Sequence, residues 1–168
     1  MKLKARDRQD LAVLSALLQD ALVAVRDMAW LPREKRFVMV ANRFRWEAAP
    51  EPVPASTEAE PGPGDAAADA RFAQTPDRLY SRRFAGLCVE RVEQAQLRGL
   101  DLKQRDRFLA LLSLELEADG KALRLTFAEG VEIRLKLARL CVLMEDLGES
   151  WPTQWRPSHL DGGHLDGD

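Results

Sequence analysis

Histidine is nearly missing from this chain: of 168 residues only His159 and His164 are histidine, and both lie in the last ten positions. A Ser-His or Cys-His nucleophile would need that end to fold back over the rest of the chain. His159, Asp161, His164 and Asp166 form a near repeat of His-Leu-Asp-Gly whose imidazoles and carboxylates could bind a divalent metal weakly. A solvated tail is the expectation, and no cofactor is implied. Cysteine is as scarce. Cys88 and Cys141 give neither a disulfide framework nor metal-ligand spacing, and both are expected as reduced thiols of a cytoplasmic protein. No apolar run reaches the roughly 18 residues of a membrane-spanning helix; residues 11–25 come nearest and are broken by Gln19 and Asp20. Arg6, Asp7, Arg8 and Asp10 interrupt any signal-peptide pattern. A phosphate-cradling glycine loop is lacking too, because Gly62 and Gly64 sit among prolines.

What is present is arginine, 19 residues against 6 lysines, unevenly placed. Residues 1–47 carry a net charge of +4, 48–76 carry −4, 77–148 carry +1 and 149–168 carry −3. The segments expected to fold are basic and the others acidic, so an acidic segment can screen a basic face or simply keep the chain soluble. Residues 48–75 hold five prolines, two glycines and almost no large apolar side chain. They are expected as a disordered loop inside one domain covering 1–148, with 149–168 as a flexible acidic tail.

The fold is read from periodicity. Leu112, Leu114 and Leu116 alternate with Ser113, Glu115 and Glu117, and Leu123, Leu125 and Phe127 alternate with Arg124 and Thr126. A two-residue Asp119-Gly120 turn of type I′ sets Leu116 opposite Leu123, Leu114 opposite Leu125 and Leu112 opposite Phe127. For the next strand a three-residue loop, Ala128-Glu129-Gly130, is required, because a two-residue loop would set Phe127 against Glu132. It pairs Leu125 with Ile133 and Leu123 with Leu135. After Leu137 the spacing of Leu140, Leu143, Met144 and Leu147 suggests a closing helix capped by Gly148. At the front, Leu3 and Ala5 read as a weak strand, Asp7 as the cap of a helix burying Leu11, Leu14, Leu17 and Leu18, and residues 22–44 as a hairpin turning at 31–35. The expected class is α+β: one bent, mainly antiparallel sheet of about seven strands with an N-terminal helix after strand 1 and a C-terminal closing helix. A pleckstrin-homology-like barrel is one such architecture, and an open sheet with both helices on one face is the other.

No catalytic constellation emerges. Glu90 with Glu93, and Asp101 with Asp106, are paired carboxylates of the kind acid–base chemistry uses, but they lie among arginines, where solvated ion pairs are the ordinary outcome. A basic surface is better supported: Arg33, Lys35, Arg36, Arg43, Arg45, Arg82, Arg83, Arg91 and Arg98, with Trp30 and Tyr80 as stacking faces. The expected function is a non-catalytic protein-interaction module. Single-stranded nucleic acid or anion binding is the alternative, an enzyme using a carboxylate the second, and sheet edges offer a route to homo-oligomers.

Asp27-Met28-Ala29-Trp30-Leu31-Pro32-Arg33-Glu34-Lys35-Arg36-Phe37, continued by Ala41-Asn42-Arg43-Phe44, resembles a family of small alphaproteobacterial proteins catalogued as domain of unknown function 2948. Arg82-Arg83-Phe84-Ala85-Gly86-Leu87 and Glu145-Asp146-Leu147-Gly148 carry the same likeness. It implies one-domain organisation and a cytoplasmic setting, and assigns no activity or site residue.

Overall fold

In the computed structural model, residues 1–48, 51–52, 72–74, 78–153 and 155–157 are described. Thirteen strands and one α-helix follow in the order β1 (Lys2–Ala5), α1 (Arg8–Leu17), β2 (Leu22–Ala24), β3 (Met28–Leu31), β4 (Arg36–Phe44), β5 (Glu51–Pro52), β6 (Phe72–Gln74), β7 (Arg78–Val89), β8 (Val92–Arg98), β9 (Phe108–Leu116), β10 (Ala122–Phe127), β11 (Glu132–Leu137), β12 (Val142–Thr153) and β13 (Trp155–Pro157). Eleven strands form a single antiparallel sheet in the order β1-β12-β7-β4-β2-β9-β10-β11-β8, with β3 beside β4 and β5 beside β7. The path ends at β1 and β8 without closing, so the sheet is open rather than a pleckstrin-homology-like barrel, and it holds more strands than the seven expected. Among the described residues, no helix is long and apolar enough to cross a membrane.

The central ladders follow the sequence's alternation. Leu123 faces Leu116 and Leu125 faces Leu114 across β9–β10, and Leu123 faces Leu135 and Leu125 faces Ile133 across β10–β11. All six are apolar, and Leu123, Leu125, Ile133 and Leu135 are wholly buried. Two details differ. The β9–β10 turn is not type I′: of its residues only Gly120 has positive φ (74°), Gly120 N donates to the Glu117 carbonyl at 2.8 Å, and Asp119 Oδ1 accepts from Lys121 N at 2.9 Å. A bulge after Thr126 also pairs Phe127 with Leu111 rather than Leu112. On the outer face Glu117 accepts two bonds from Arg134, at 2.7 and 2.8 Å, and one from Arg124 at 3.2 Å. Arg134 above all holds that carboxyl down to about 2.

The helix expected at 140–147 is absent; residues 142–147 open strand β12, and Leu140 and Cys141 lead into it. Val142 and Met144 point into the core and are fully buried, whereas Leu143 and Leu147 lie on the opposite face. A strand apolar on both faces has no period-two signature, so its leucines can mimic a helical stripe. Gly148, expected as a helix cap, has φ 65° and lies where the β12–β7 register shifts. Strand β12 continues to a buried Thr153, which places 149–153 in the sheet and not in a tail. Similarly, β6 pairs with β13, so 72–74 of the expected loop are in a strand. Residues 53–71 and 158–168, with both histidines, lie outside the described residues.

The N-terminal helix matches its reading. Asp7 caps it by accepting from Asp10 N at 2.8 Å, Leu11, Leu14 and Leu18 are buried, and Leu17, expected with them, is partly buried. They join a hydrophobic cluster that draws residues from both sides of 48–75, from Ala5 to Met144. Two glycines offer a test of this frame. At Gly120 (φ +74°) an added Cβ meets nothing within 4 Å, whereas at Gly99 (φ +72°) it would stand 2.6 Å from the Gly130 carbonyl oxygen. Gly120→Ala should therefore cost only the left-handed backbone, about 1 kcal/mol, and Gly99→Ala distinctly more. Urea melts of the two variants giving equal losses would contradict this.

Candidate functional site

Strands β4, β7, β12 and β1 run side by side, and their registers set out the outer face row by row. Val40, Gly86, Glu145 and Lys2 share one row, and Val38, Cys88, Leu143 and Lys4 the next. The alternate residues Met39, Ala41, Leu87, Val89, Val142 and Met144 face the core and are buried. Towards one end this outer face is covered: the Phe44 ring lies 4.5 Å from Trp46 and 5.3 Å from Tyr80, Phe84 lies 4.9 Å from Trp151, and Phe44, Arg82 and Thr153 are buried. Beyond Phe84 the cover stops. There a groove of about 690 Å³ opens over Val38, Val40, Gly86, Cys88, Leu143 and Leu147, with Lys2, Lys4, Asp27 and Glu145 also lining it. Leu147 is 41% exposed.

One more step along the ladders, the apolar floor gives way to charge. Glu90 N donates to the Cys141 carbonyl at 2.9 Å, and Arg36 lies 3.5 Å from the Glu90 carboxylate. A smaller recess of about 190 Å³ here is lined by Lys4, Arg6, Glu90, Arg91, Arg139 and Cys141. Beside it a third, of about 350 Å³, adds Glu34, Lys35 and Arg36 to Glu90 and Arg91. Backbone bonds tie these turns together: Val92 N donates to the Lys35 carbonyl at 2.8 Å and Ala138 N to the Arg91 carbonyl at 3.0 Å. Lys35 and Arg91 both sit at positive φ, 54° and 58°. Lys4 lines both the groove and the smaller recess, so apolar floor and basic end are continuous.

Both cysteine thiols are held above the ordinary cysteine range. Burial pushes the Cys88 thiol up, with Glu90 and Cys141 adding to it and only Arg36 opposing. Burial likewise raises Cys141, which also donates to Glu90 Oε2 at 3.4 Å. Both are free. The other carboxylates considered lie apart from the groove floor. Glu93, Asp101 and Asp106 are exposed, and Asp106 lies 3.2 Å from Arg26. Among the described residues no group of three or more His, Cys, Asp or Glu could hold a metal ion.

The predicted basic and aromatic surface is divided by the fold. Arg33, Lys35, Arg36 and Arg91 are exposed; the last three line the basic end and Arg33 lies in the same β3–β4 turn. Arg98 is exposed on β8, 4.0 Å from Glu132, away from this end. Arg43 and Arg82 are not on the surface, contrary to expectation, and both are 0% exposed. Arg43 donates to both Asp146 oxygens at 2.8 and 2.9 Å and to Glu47 at 2.8 and 3.1 Å. Arg82 holds Asn42 through Oδ1 at 2.6 Å and the backbone carbonyl at 2.9 Å. Arg45 is half-buried against Ser81 at 3.2 Å, and Arg83 donates to the Gly148 carbonyl at 2.9 Å. Trp30 and Tyr80 are both half-buried, Trp30 packing against the core and Tyr80 against Phe44. Lys4, Arg6 and Arg139 were missed because they are scattered along the sequence and only the ladders bring them together. Gly86 carried a signal, a lone glycine within a strand.

No curated protein and no solved structure matches the chain. A family model described as "Protein of unknown function (DUF2948)" matches residues 1–159. That span takes in both the groove and its basic end, and on it the chain belongs to the DUF2948 family.

Proposed function

We propose that this protein is a non-catalytic, cytoplasmic interaction module, a single domain whose outer sheet face docks another protein. The observation that carries the reading is the uncovered half of that face. Apolar side chains of three adjacent strands line an open groove there, while the other half of the same face is packed over. Grooves with an apolar floor and a few polar groups at the margin are ordinary binding surfaces. The core cluster drawn from both sides of 48–75 supports one domain, and two free thiols suit a reducing compartment. Of the cations singled out from sequence, Lys35, Arg36 and Arg91 keep a place in the reading, joined by Lys4, Arg6 and Arg139. They would meet acidic groups of the partner. Nucleic acid is the weaker alternative, since Trp30 and Tyr80 each give part of their surface to the core or to Phe44.

Val40 is half-exposed on the groove floor, so Val40→Asp should leave the fold intact and remove docking. Affinity purification from the native cell, with wild type and Val40→Asp as paired baits, should recover a polypeptide with the first and lose it with the second. Identical recoveries from both baits, with both folded by circular dichroism, would overturn the proposal.

A further inference from the structure

Gly86 occupies the middle of the groove floor, in the interior of a twelve-residue strand. Glycine there is locally unfavourable: it has no side chain to pack and the largest conformational freedom to lose. The fold does not call for it. Its φ is not in the left-handed region, and an added Cβ would meet Leu147 Cδ1 at 3.5 Å, an ordinary contact, with no backbone atom nearer than 3.9 Å. A strand glycine free of such demands marks a place where something else comes close. Here the missing side chain leaves a shallow socket between Val40, Cys88 and Glu145, bordered by the Leu147 side chain, whose Cδ1 an added Cβ would meet at 3.5 Å.

The size of the face says what fits. Four strands at about 4.8 Å spacing make it about 14 Å wide, and six residues of β12, from 142 to 147, make it about 20 Å long. A single acyl chain would leave most of that width wet. An α-helix of about 10 to 12 Å diameter fills it, and about 13 residues span its length. Charge sets the direction. One end is closed by Phe84 packed on Trp151, and the other presents Lys4, Arg6, Lys35, Arg36, Arg91 and Arg139 against only Glu34 and Glu90. Resting on the docking reading above, we infer that the occupant is an amphipathic helix of a partner protein, about 13 residues long, with Asp or Glu at one end. A large apolar side chain of that helix seats over Gly86, as buried anchors do at interface centres.

The test is selection from a displayed library of random 16-residue peptides on the full-length protein, followed by affinity measurement on Gly86→Val. Valine suits a strand better than glycine, so the variant should melt at or above the wild-type temperature while filling the socket. Selected peptides should share apolar positions at i, i+3, i+4 and i+7 with acidic residues at one end, bind Gly86→Val at least 30-fold more weakly, and lose at least tenfold on Lys4→Glu. Should Gly86→Val fail to fold, Val40→Asp replaces it with the same expectation. Selected peptides without helical periodicity that are nonetheless lost on Gly86→Val would overturn the helix and leave the docking face standing. No enrichment, or equal affinity for wild type and variant, would overturn both, as would binding of phosphatidylglycerol vesicles alone, abolished by Gly86→Val.

Discussion

Asp146→Ala should lower folding stability by about 3 to 5 kcal/mol, the cost typical of removing one partner from a buried ion pair. Asp146 is 2% exposed and its partner Arg43 fully buried, with a two-pronged contact at 2.8 and 2.9 Å. Deleting the carboxylate leaves a guanidinium that can neither reach water nor shed its proton. Glu47, bonded to the other side of Arg43, compensates only in part. The same substitution should change the response to acid. Burial alone would raise the Asp146 and Glu47 carboxyls, but their bonds to Arg43 and its charge outweigh it and hold both below the ordinary range. Carboxyls with lowered folded-state values contribute stability that is complete above their unfolded values, near 4. That contribution fades as pH falls through the folded values. Wild type should therefore weaken steeply below about pH 4, and Asp146→Ala, already weaker at pH 7, should show a shallower acid limb. Urea melts at pH 7 and between pH 5 and 2.5 measure both, and a loss under 1 kcal/mol at pH 7 would mean that Arg43 finds another anion.

Leu125→Ala should cost about 2 to 5 kcal/mol by a different mechanism, a void rather than an orphaned charge. Leu125 lies in β10 between Leu114 and Ile133, and all three are buried. Neighbours fixed on both sides by ladder hydrogen bonds have little freedom to collapse inward. Because no titratable group is involved, this loss should be the same at pH 7 and pH 4.5. A pH-dependent loss would show that the substitution disturbs more than packing.

Those two sites also mark what could and could not be inferred from the primary structure. The register placing Leu125 between Leu114 and Ile133 follows from alternation and loop length, because both partners lie within about a dozen residues and each strand has one apolar side. Strand β12 escaped the same logic: Val142 and Met144 feed the core while Leu143 and Leu147 floor the groove, and the resulting run of large residues imitates a helix. The fates of Arg43 and Arg82 were hidden for another reason. Arginine at a strand position is ordinarily a surface residue, and Arg43 is held inside by nearby Glu47 together with a carboxylate 103 residues away. The groove is likewise a long-range object, assembled from β1, β4, β7 and β12. The cations that line the two recesses come from segments too far apart for proximity in sequence to unite them.

The pairing of β1 with β12 carries a cost in time. Lys2 meets Glu145, about 140 residues later in the chain. At about 5 to 20 residues per second of translation, the first strand leaves the ribosome roughly 7 to 30 seconds before its partner exists. During that interval the nascent chain displays β1 unpaired and, once it has been made, β7 with one flank bare, which invites chaperone capture during synthesis. Messages truncated before the segment that encodes β12 should yield polypeptides that are degraded rather than stored.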